Sequence, residues 1–373
     1  MRRAIIHVGM PRTASTTIQH VLAHLRPALA GAGILYPALT PRSAEAEPHI
    51  SHQHLGEALD GRRPEAEARE LLDELARQLA ATTADVVILS YEDWIQERRA
   101  LAIGGRLNAV FAAAGFRTEV IVVVKPQSEH LNSIYSHRAQ LMRERRLFAP
   151  FCRGFESSRR FAYAELLDPW WRLAEGRVQA LPLRDKRSAE PLINRFLAAA
   201  DVLDRVAPLL AASELRRVEN RSPGPVAVET SRRLRLLRVP ARLAVRPRLV
   251  MREVERLTFA QGLDSVPFKG VDPALRDRLS ARYAATNDRF ARLAWKAPWD
   301  EVVALEPPHA VNEIGGQPVA AETEAVIAGL MAEIGRQYGV ALHRPWHAPL
   351  AEWAEDCTGI GQRVLRLSKW RVL

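Results

Sequence analysis

The chain has 373 residues, of which 47% are hydrophobic, so it can form one large or two modest domains with a sizeable core. This composition excludes a largely disordered chain, and only two cysteines exclude a disulfide framework or a cysteine-based zinc site. Lys and Arg (53) outnumber Asp and Glu (43), and the resulting net charge of +10 favours anionic ligands such as phosphate esters or acidic saccharides. No nucleic-acid-binding motif is recognisable, and we expect no nucleic-acid partner.

The sequence near Met1 does not have the pattern of a signal peptide. The apolar run after Arg2 and Arg3 extends only from Ala4 to Val8, which is too short for a signal peptide. No apolar stretch approaches the ~20 residues that span a bilayer. We therefore expect a cytoplasmic protein without a transmembrane segment, and the sequence does not indicate its oligomeric state.

The first motif is a strand, a loop of small residues and a helix start. The apolar run ends at Gly9 and Pro11, and a helical pattern opens at Ser15. The first turn of a helix has unpaired N–H groups and the positive end of the helix dipole, so this arrangement predicts an anion site. Arg12 would add a fixed charge. The hydroxyl groups that would donate to the anion are those of Thr13, Ser15, Thr16 and Thr17.

Strands and helices alternate along the rest of the chain. Hydrophobic periodicity predicts further strands over about 33–37, 85–90, 118–124 and 178–183. It predicts helices over about 15–30, 65–81, 97–115, 127–146, 155–171, 191–200, 226–237, 272–293 and 320–338, with loops over 38–54, 238–271 and 298–318. The alternation predicts an α/β sandwich with a central, mostly parallel sheet.

An acidic residue, Glu92, follows the predicted strand over 85–90. Ligands sit at the carboxyl edge of a parallel sheet, so a carboxylate there is well placed for chemistry. The alternative is that the acid stabilises the dipole of the next helix, a role that Asp93 suits better.

The loop over 38–54 contains three histidines, and one of them either lies over the site or is simply solvated. No carboxylate or cysteine completes a ligand set with them, and we expect no metal.

The segment from His7 to Thr17 resembles the 5′-phosphosulfate-binding loop of the sulfotransferases that use 3′-phosphoadenosine 5′-phosphosulfate (PAPS), in particular their bacterial branch. That loop usually reads Pro-Lys-Thr/Ser-Gly-Thr-Thr. In this chain Arg12 stands in place of the lysine, which keeps the charge, and Ala14 stands in place of the glycine. An alanine would strain the loop if this position needs a positive φ.

Two further segments extend the resemblance. Lys125 follows the predicted strand over 118–124, and Ser133 comes eight residues later, which is the spacing of the basic residue and serine that bind the 3′-phosphate in these enzymes. The family residue is normally arginine, so Lys125 is again a substitution that keeps the charge. The Arg216–Ser222 segment resembles an Arg-x-Asn-x-Ser segment of the family, and Asn220 would lie near the adenosine.

The resemblance implies a P-loop-like fold and sulfuryl transfer from PAPS to a hydroxyl or amine acceptor, without a metal. It implies a nucleotide-binding core over 1–225, a substrate-side or lid segment over 226–297 and a helical extension over 298–373. The acceptor, acidic or saccharide in character, stays open among a glycan, a lipid-linked sugar and a small metabolite. The implied catalytic residues are Arg12, Glu92 and His54, and candidates for the general base rank in the order Glu92, His54, His52 and His7. The implied PAPS-binding residues are Gly9, Pro11, Arg12, Thr13, Ala14, Ser15, Thr16, Thr17, Lys125, Ser133 and Asn220.

Two other functions remain open at the level of sequence. A P-loop kinase or nucleotide triphosphatase would share the fold, but the Lys-Ser/Thr pair that it needs at the helix start is missing. A catalytically inactive nucleotide- or anion-binding relative would be consistent with the substitutions at Arg12, Ala14 and Lys125.

Overall fold

The computed structural model of the protein describes residues 2–42, 49–95, 97–155, 158–210, 222–237, 247–315 and 319–338. Its strands are β1 (Arg2–His7), β2 (Ile34–Leu35), β3 (Val86–Ser90), β4 (Phe116–Val124) and β5 (Val178–Pro182). The helices before β5 are α1 (Ser15–His24), α2 (Arg26–Gly31), α3 (Gln53–Leu59), α4 (Glu65–Ala81), α5 (Glu97–Ala113), α6 (Gln127–Gln140), α7 (Phe148–Arg153) and α8 (Tyr163–Leu173). The helices after β5 are α9 (Leu192–Ala199), α10 (Leu203–Val206), α11 (Pro225–Leu236), α12 (Pro247–Ala260), α13 (Pro273–Trp295), α14 (Trp299–Val302) and α15 (Ala321–Gln337). Short 3₁₀ turns lie at Glu92–Ile95, Arg159–Phe161 and Ala207–Leu209.

The five strands form one parallel sheet in the order β2-β3-β1-β4-β5. His7, at the end of the central strand β1, lies opposite Ser90 of β3 and Ile121 of β4. The chain passes from β1 to β2 and β3 on one side of the sheet and later to β4 and β5 on the other, and open α/β sheets bind ligands at the carboxyl ends of the strands where the order switches in this way. The predicted α/β architecture, with a central parallel sheet flanked by helices, is confirmed.

Successive side chains of the strands point to opposite faces of the sheet, and both faces are buried against helices. Ile6 and Leu89 belong to an apolar cluster with residues of α4, α5 and α8 on one face. Ile5 and Ile88 belong to a second cluster, with residues of α1 and α9, on the other face. Burying a side chain of this size stabilises the fold by about 1.5–3 kcal/mol, so the strand ends that carry polar residues rest on a firmly packed support.

Packing divides the described residues into two compact units. The first falls within Met1–Arg138, Arg146–Pro225 and Val266–Gly316 and contains the sheet. The second falls within Ala139–Arg145, Val226–Ser265 and Gln317–Leu373 and contains α11, α12 and α15. A separate apolar cluster, which includes Val250, Val254, Leu330 and Ile334, forms the core of the second unit. The predicted division into 1–225, 226–297 and 298–373 concerns roles rather than packing and stays a prediction.

Three of the predicted helices differ from those observed by more than two residues. The helix expected over 15–30 is interrupted at Leu25, because Pro27 lacks an N–H group and starts a new helix, α2, instead of continuing α1. The helix expected to reach residue 146 ends at Gln140. The helix expected over 155–171 begins only at Tyr163.

The prediction of a loop over 238–271 was also wrong in part, because this segment contains the 14-residue helix α12. Its buried residues Val250, Val254 and Leu257 recur at helical spacing. The prolines and arginines around them obscured this periodicity. Residues 339–373 of the predicted extension lie outside the described residues, and no helix in the described part is both long and apolar enough to cross a bilayer.

Candidate functional site

The main chain after β1 stays attached to the neighbouring strand. Val8 donates its N–H to the Ile121 carbonyl (3.1 Å), and Val123 donates its N–H to the Gly9 carbonyl (2.8 Å). Gly9 has a φ of 108°, and a Cβ atom there would lie 2.4 Å from the carbonyl oxygen of Glu92. Only glycine therefore fits, and the close approach fixes the backbone of Glu92 against the loop.

The loop between β1 and α1 is closed by its own side chains. The Thr13 hydroxyl donates to the Met10 carbonyl (2.6 Å) and accepts the Met10 N–H (3.1 Å), and the Ser15 hydroxyl also donates to that carbonyl (3.0 Å). Arg12 and Ala14 both adopt left-handed backbone conformations, with φ of 66° and 63°. Left-handed residues in such a turn direct successive N–H groups inward and form an anion-binding concavity. The two hydroxyls brace this loop.

The N-terminus of α1 has the properties expected of an anion site. Ala14 occupies the N-cap position without a side-chain cap, and the first turn contains no acidic residue. The N–H groups at the start of the ten-residue helix and its dipole therefore favour a negative charge. Thr16 and Thr17 lie half-buried in this turn, and Pro11 lies half-buried just before it.

Arg12 brings a desolvated cation to this loop. Burial lowers the pKa of its guanidinium below the ordinary value, and the charge of Glu92 opposes that shift. Its Nε is buried without a hydrogen-bond partner, and within the described residues Arg12 forms no ion pair. An unsatisfied buried N–H costs about 1–3 kcal/mol, so a bound anion would relieve this cost.

The predicted pair of Lys125 and Ser133 is brought together in the structure. Lys125 follows β4 directly, is only 4% exposed, and donates from Nζ to the Ser133 hydroxyl at 2.7 Å. Burial, assisted by the charges of Arg12 and Arg184, lowers the pKa of Lys125 to about 7, although Glu129 and Glu306 act in the opposite direction. The serine is neutral, and no carboxylate of the described chain lies within ion-pair distance of the ammonium. A buried cation with only a neutral partner is a strong attractor for phosphate.

Glu92 is the acid whose charge acts on Arg12. It begins a 3₁₀ turn two residues after Ser90, the last residue of β3. Burial and then the charge of Asp93 raise the pKa of Glu92 to about 7, while the charge of Arg12 lowers it. Asp93 is itself held by the Tyr91 hydroxyl (3.0 Å) and by Arg62 (3.3 Å). A carboxylate that titrates near neutral pH is suited to accept a proton.

Two of the histidines are committed to structural hydrogen bonds. His52 accepts the Ser90 N–H at Nδ1 (2.9 Å) and donates from Nε2 to the Pro37 carbonyl (3.0 Å). His7 lies fully buried under the loop, with its Nδ1 2.7 Å from the Ser90 hydroxyl. Burial lowers the pKa of each to about 3, so neither is placed to exchange protons with a ligand.

His54 lies on α3. Burial lowers its pKa, and the charged residues that influence it are Arg63, Glu57 and Glu67. Its Nδ1 is buried without a hydrogen-bond partner, and its ring lies 6.0 Å from that of His49. The structure thus brings Glu92, but not His54, into electrostatic contact with Arg12. Asn220, the remaining predicted residue, lies outside the described residues.

The sequence reasoning missed two residues. His130 donates from Nε2 to the Pro11 carbonyl (2.8 Å) and so ties α6 to the loop. Arg184 lies two residues after the end of β5, and its charge acts on Lys125, which directly follows β4. The signal for Arg184 was available in the sequence, because this residue directly follows the strand predicted over 178–183, and a cation there lies at the carboxyl edge of a parallel sheet.

Neither a scan of protein-family models nor a search of curated proteins gives a match to this chain. Within the described residues, no group of three or more His, Cys, Asp or Glu side chains is arranged to hold a metal ion. The function is therefore argued from the geometry of the loop, Arg12, Lys125 and Glu92, together with the sequence resemblance.

Proposed function

We propose that this protein is a sulfotransferase that moves the sulfuryl group of PAPS to a hydroxyl or amine acceptor. The observation that carries the proposal is a pair of desolvated basic side chains that form no ion pair within the described residues, Arg12 in the loop after β1 and Lys125 directly after the adjacent strand β4. PAPS has anionic groups at both its 5′ and 3′ positions, and so it offers one anion to each cation.

The residues present suit such a ligand. The N-terminus of α1 and the unpartnered Nε of Arg12 would hold the 5′-phosphosulfate. Lys125 and Ser133 would hold the 3′-phosphate through a charge-assisted and a neutral hydrogen bond. When bound, PAPS supplies the activated sulfuryl group.

The remaining chemistry falls to side chains of this chain. Negative charge that develops on the 5′ side is stabilised by Arg12 and by the N–H groups of the loop, which are oriented before the reaction begins. Glu92 takes the proton of the acceptor hydroxyl onto its carboxylate. With a pKa of about 7, this carboxylate is about half ionised at neutral pH, which balances availability against basicity.

Binding of adenosine 3′,5′-bisphosphate, the product that remains of PAPS after sulfuryl transfer, tests the proposal. We expect it to raise the melting temperature strongly, because a ligand present at about 100 times its dissociation constant stabilises the native state by about 2.7 kcal/mol. ATP with Mg²⁺ is the control for the kinase or triphosphatase alternative, and we expect a much smaller shift. Equal or greater stabilisation by ATP with Mg²⁺ would contradict the proposal.

Activity separates an enzyme from an inactive anion-binding relative. Incubation with PAPS and a panel of glycans, lipid-linked sugars and small hydroxyl or amine compounds should yield sulfated product together with the bisphosphate. Bisphosphate binding without transfer to any acceptor of the panel would favour the inactive relative.

A further inference from the structure

Arg184 lies at the same sheet edge as Lys125. Leu183 donates its N–H to the Val124 carbonyl at 2.7 Å, so the ends of β4 and β5 run side by side up to these two cations. Ala304 donates its N–H to the Arg184 carbonyl (3.1 Å), and this contact anchors the backbone of Arg184 from the other side. The position of the Arg184 backbone is therefore set by the fold, and its side chain starts from the end of β5 beside Lys125.

The guanidinium is only partly used by the protein. It forms an ion pair through Nη2 with the carboxylate of Glu129, whereas its Nε is buried without a hydrogen-bond partner. The side chain is 37% exposed, so part of the group still faces solvent. A salt bridge to Glu129 alone does not account for the orphaned N–H group.

The charges around Arg184 leave an excess of positive charge. Glu129 accepts the Glu306 N–H at 2.7 Å, and Glu306 is paired with Lys269. These two acids and the two bases Arg184 and Lys269 balance one another. Lys125 adds, when protonated, a further cation that forms no ion pair with a described carboxylate, and the Arg184 charge is close enough to lower its pKa. Two like charges brought this close are stabilised by an anion between them.

We propose that Arg184 is a second cationic ligand of the phosphate group that Lys125 binds. This inference rests on the proposed function, because it takes that group to be the 3′-phosphate of the nucleotide. The two cations are complementary, since an ammonium acts as a point charge while a guanidinium offers N–H donors in a planar array that fits phosphate oxygens. Arg184 would give this site selectivity for nucleotides that carry a 3′-phosphate.

Calorimetric titration of two nucleotides into Arg184→Gln tests the inference. The affinity for adenosine 3′,5′-bisphosphate should fall about 10- to 100-fold, as expected for the loss of a charge-assisted phosphate contact. The affinity for adenosine 5′-monophosphate, which lacks the 3′ group, should change little. Arg184→Lys should retain more of the bisphosphate affinity than Arg184→Gln. Arg205→Gln is the matched control, because Arg205 is similarly exposed (34%) and pairs with Asp85 at the opposite edge of the sheet.

The outcomes separate the two levels of the argument. If wild-type protein does not prefer the bisphosphate to the monophosphate, both the proposed function and the role of Arg184 fail. If wild type prefers it and Arg184→Gln keeps the same preference, only the role of Arg184 fails. Restoration of bisphosphate affinity in Glu129→Gln/Arg184→Gln would show that Arg184 merely neutralises Glu129, and would equally overturn the inference.

Discussion

Replacing Lys125 by arginine should change how nucleotide binding depends on pH. In the free protein, burial lowers the pKa of Lys125 to about 7, so near neutral pH much of the population carries an uncharged amine there. A bound phosphate favours the charged ammonium and raises this pKa, so binding takes up a proton. An arginine stays protonated throughout this range, and it keeps the charge without the coupled titration.

The size of the effect follows from the shifted pKa. With a pKa of about 7, about half of the lysines are charged at pH 7 and about one in eleven at pH 8. If the phosphate binds only the charged form, the affinity falls about fivefold between pH 7 and pH 8 and about tenfold over the next unit. The contribution of Lys125 to the affinity is therefore greatest below pH 7. It is lost as the pH rises through the pKa that Lys125 has in the free protein.

Calorimetry in two buffers of different ionisation enthalpy measures the proton uptake directly. At pH 7.5, wild-type protein should take up about three-quarters of a proton at Lys125 for each adenosine 3′,5′-bisphosphate bound. Glu92 and the phosphate groups of the ligand also titrate in this range, but their contribution to the proton uptake is the same in wild-type protein and in Lys125→Arg. The difference between the two proteins isolates Lys125. Equal proton uptake by both would show that this amine does not meet the phosphate.

Two further predictions concern the loop and the acid beside it. Asp93→Asn removes a charge that raises the pKa of Glu92, so a carboxyl titration followed by infrared spectroscopy should move to lower pH, with Glu92→Gln as the blank; an unmoved titration would mean that Asp93 does not act on Glu92. Ala14→Gly should stabilise the fold by about 0.5–1 kcal/mol, because a left-handed alanine costs about 1–2 kcal/mol and the added freedom of the unfolded chain returns about 0.4–1 kcal/mol of this. A urea unfolding midpoint that does not rise in this variant would show that position 14 is not strained.

Much of the architecture could be predicted from local patterns. The apolar runs that become β1, β3 and β4 are bounded by residues that stop a strand, and α4 spans the predicted residues Glu65–Ala81. Chain order then restricts such an alternation to a parallel sheet, because parallel strands need crossover connections. The prediction was weakest where prolines and arginines interrupt the periodicity, as around α12.

The candidate site depends on both levels. Sequence alone determined that Arg12 lies beside a helix start, and that Lys125 and Ser133 are separated by about two helical turns after a strand. Only the tertiary structure decided how each group is surrounded. It gave His52 two hydrogen-bond partners through Ser90 and Pro37, and it left the Nε of Arg12 without one.

The physical reason is that a side chain's identity states what it can donate or accept, whereas its charge state depends on burial and on partners distant in sequence. Glu92 owes its raised pKa to burial and to a neighbour in sequence, Asp93, but Arg12, which opposes the shift, comes from the loop after another strand, β1. Arg184 reaches Lys125 only because β4 and β5 are adjacent in the sheet. Local order along the chain determined which residues stand at the ends of the strands, and the order of strands in the sheet decided which of them share a site.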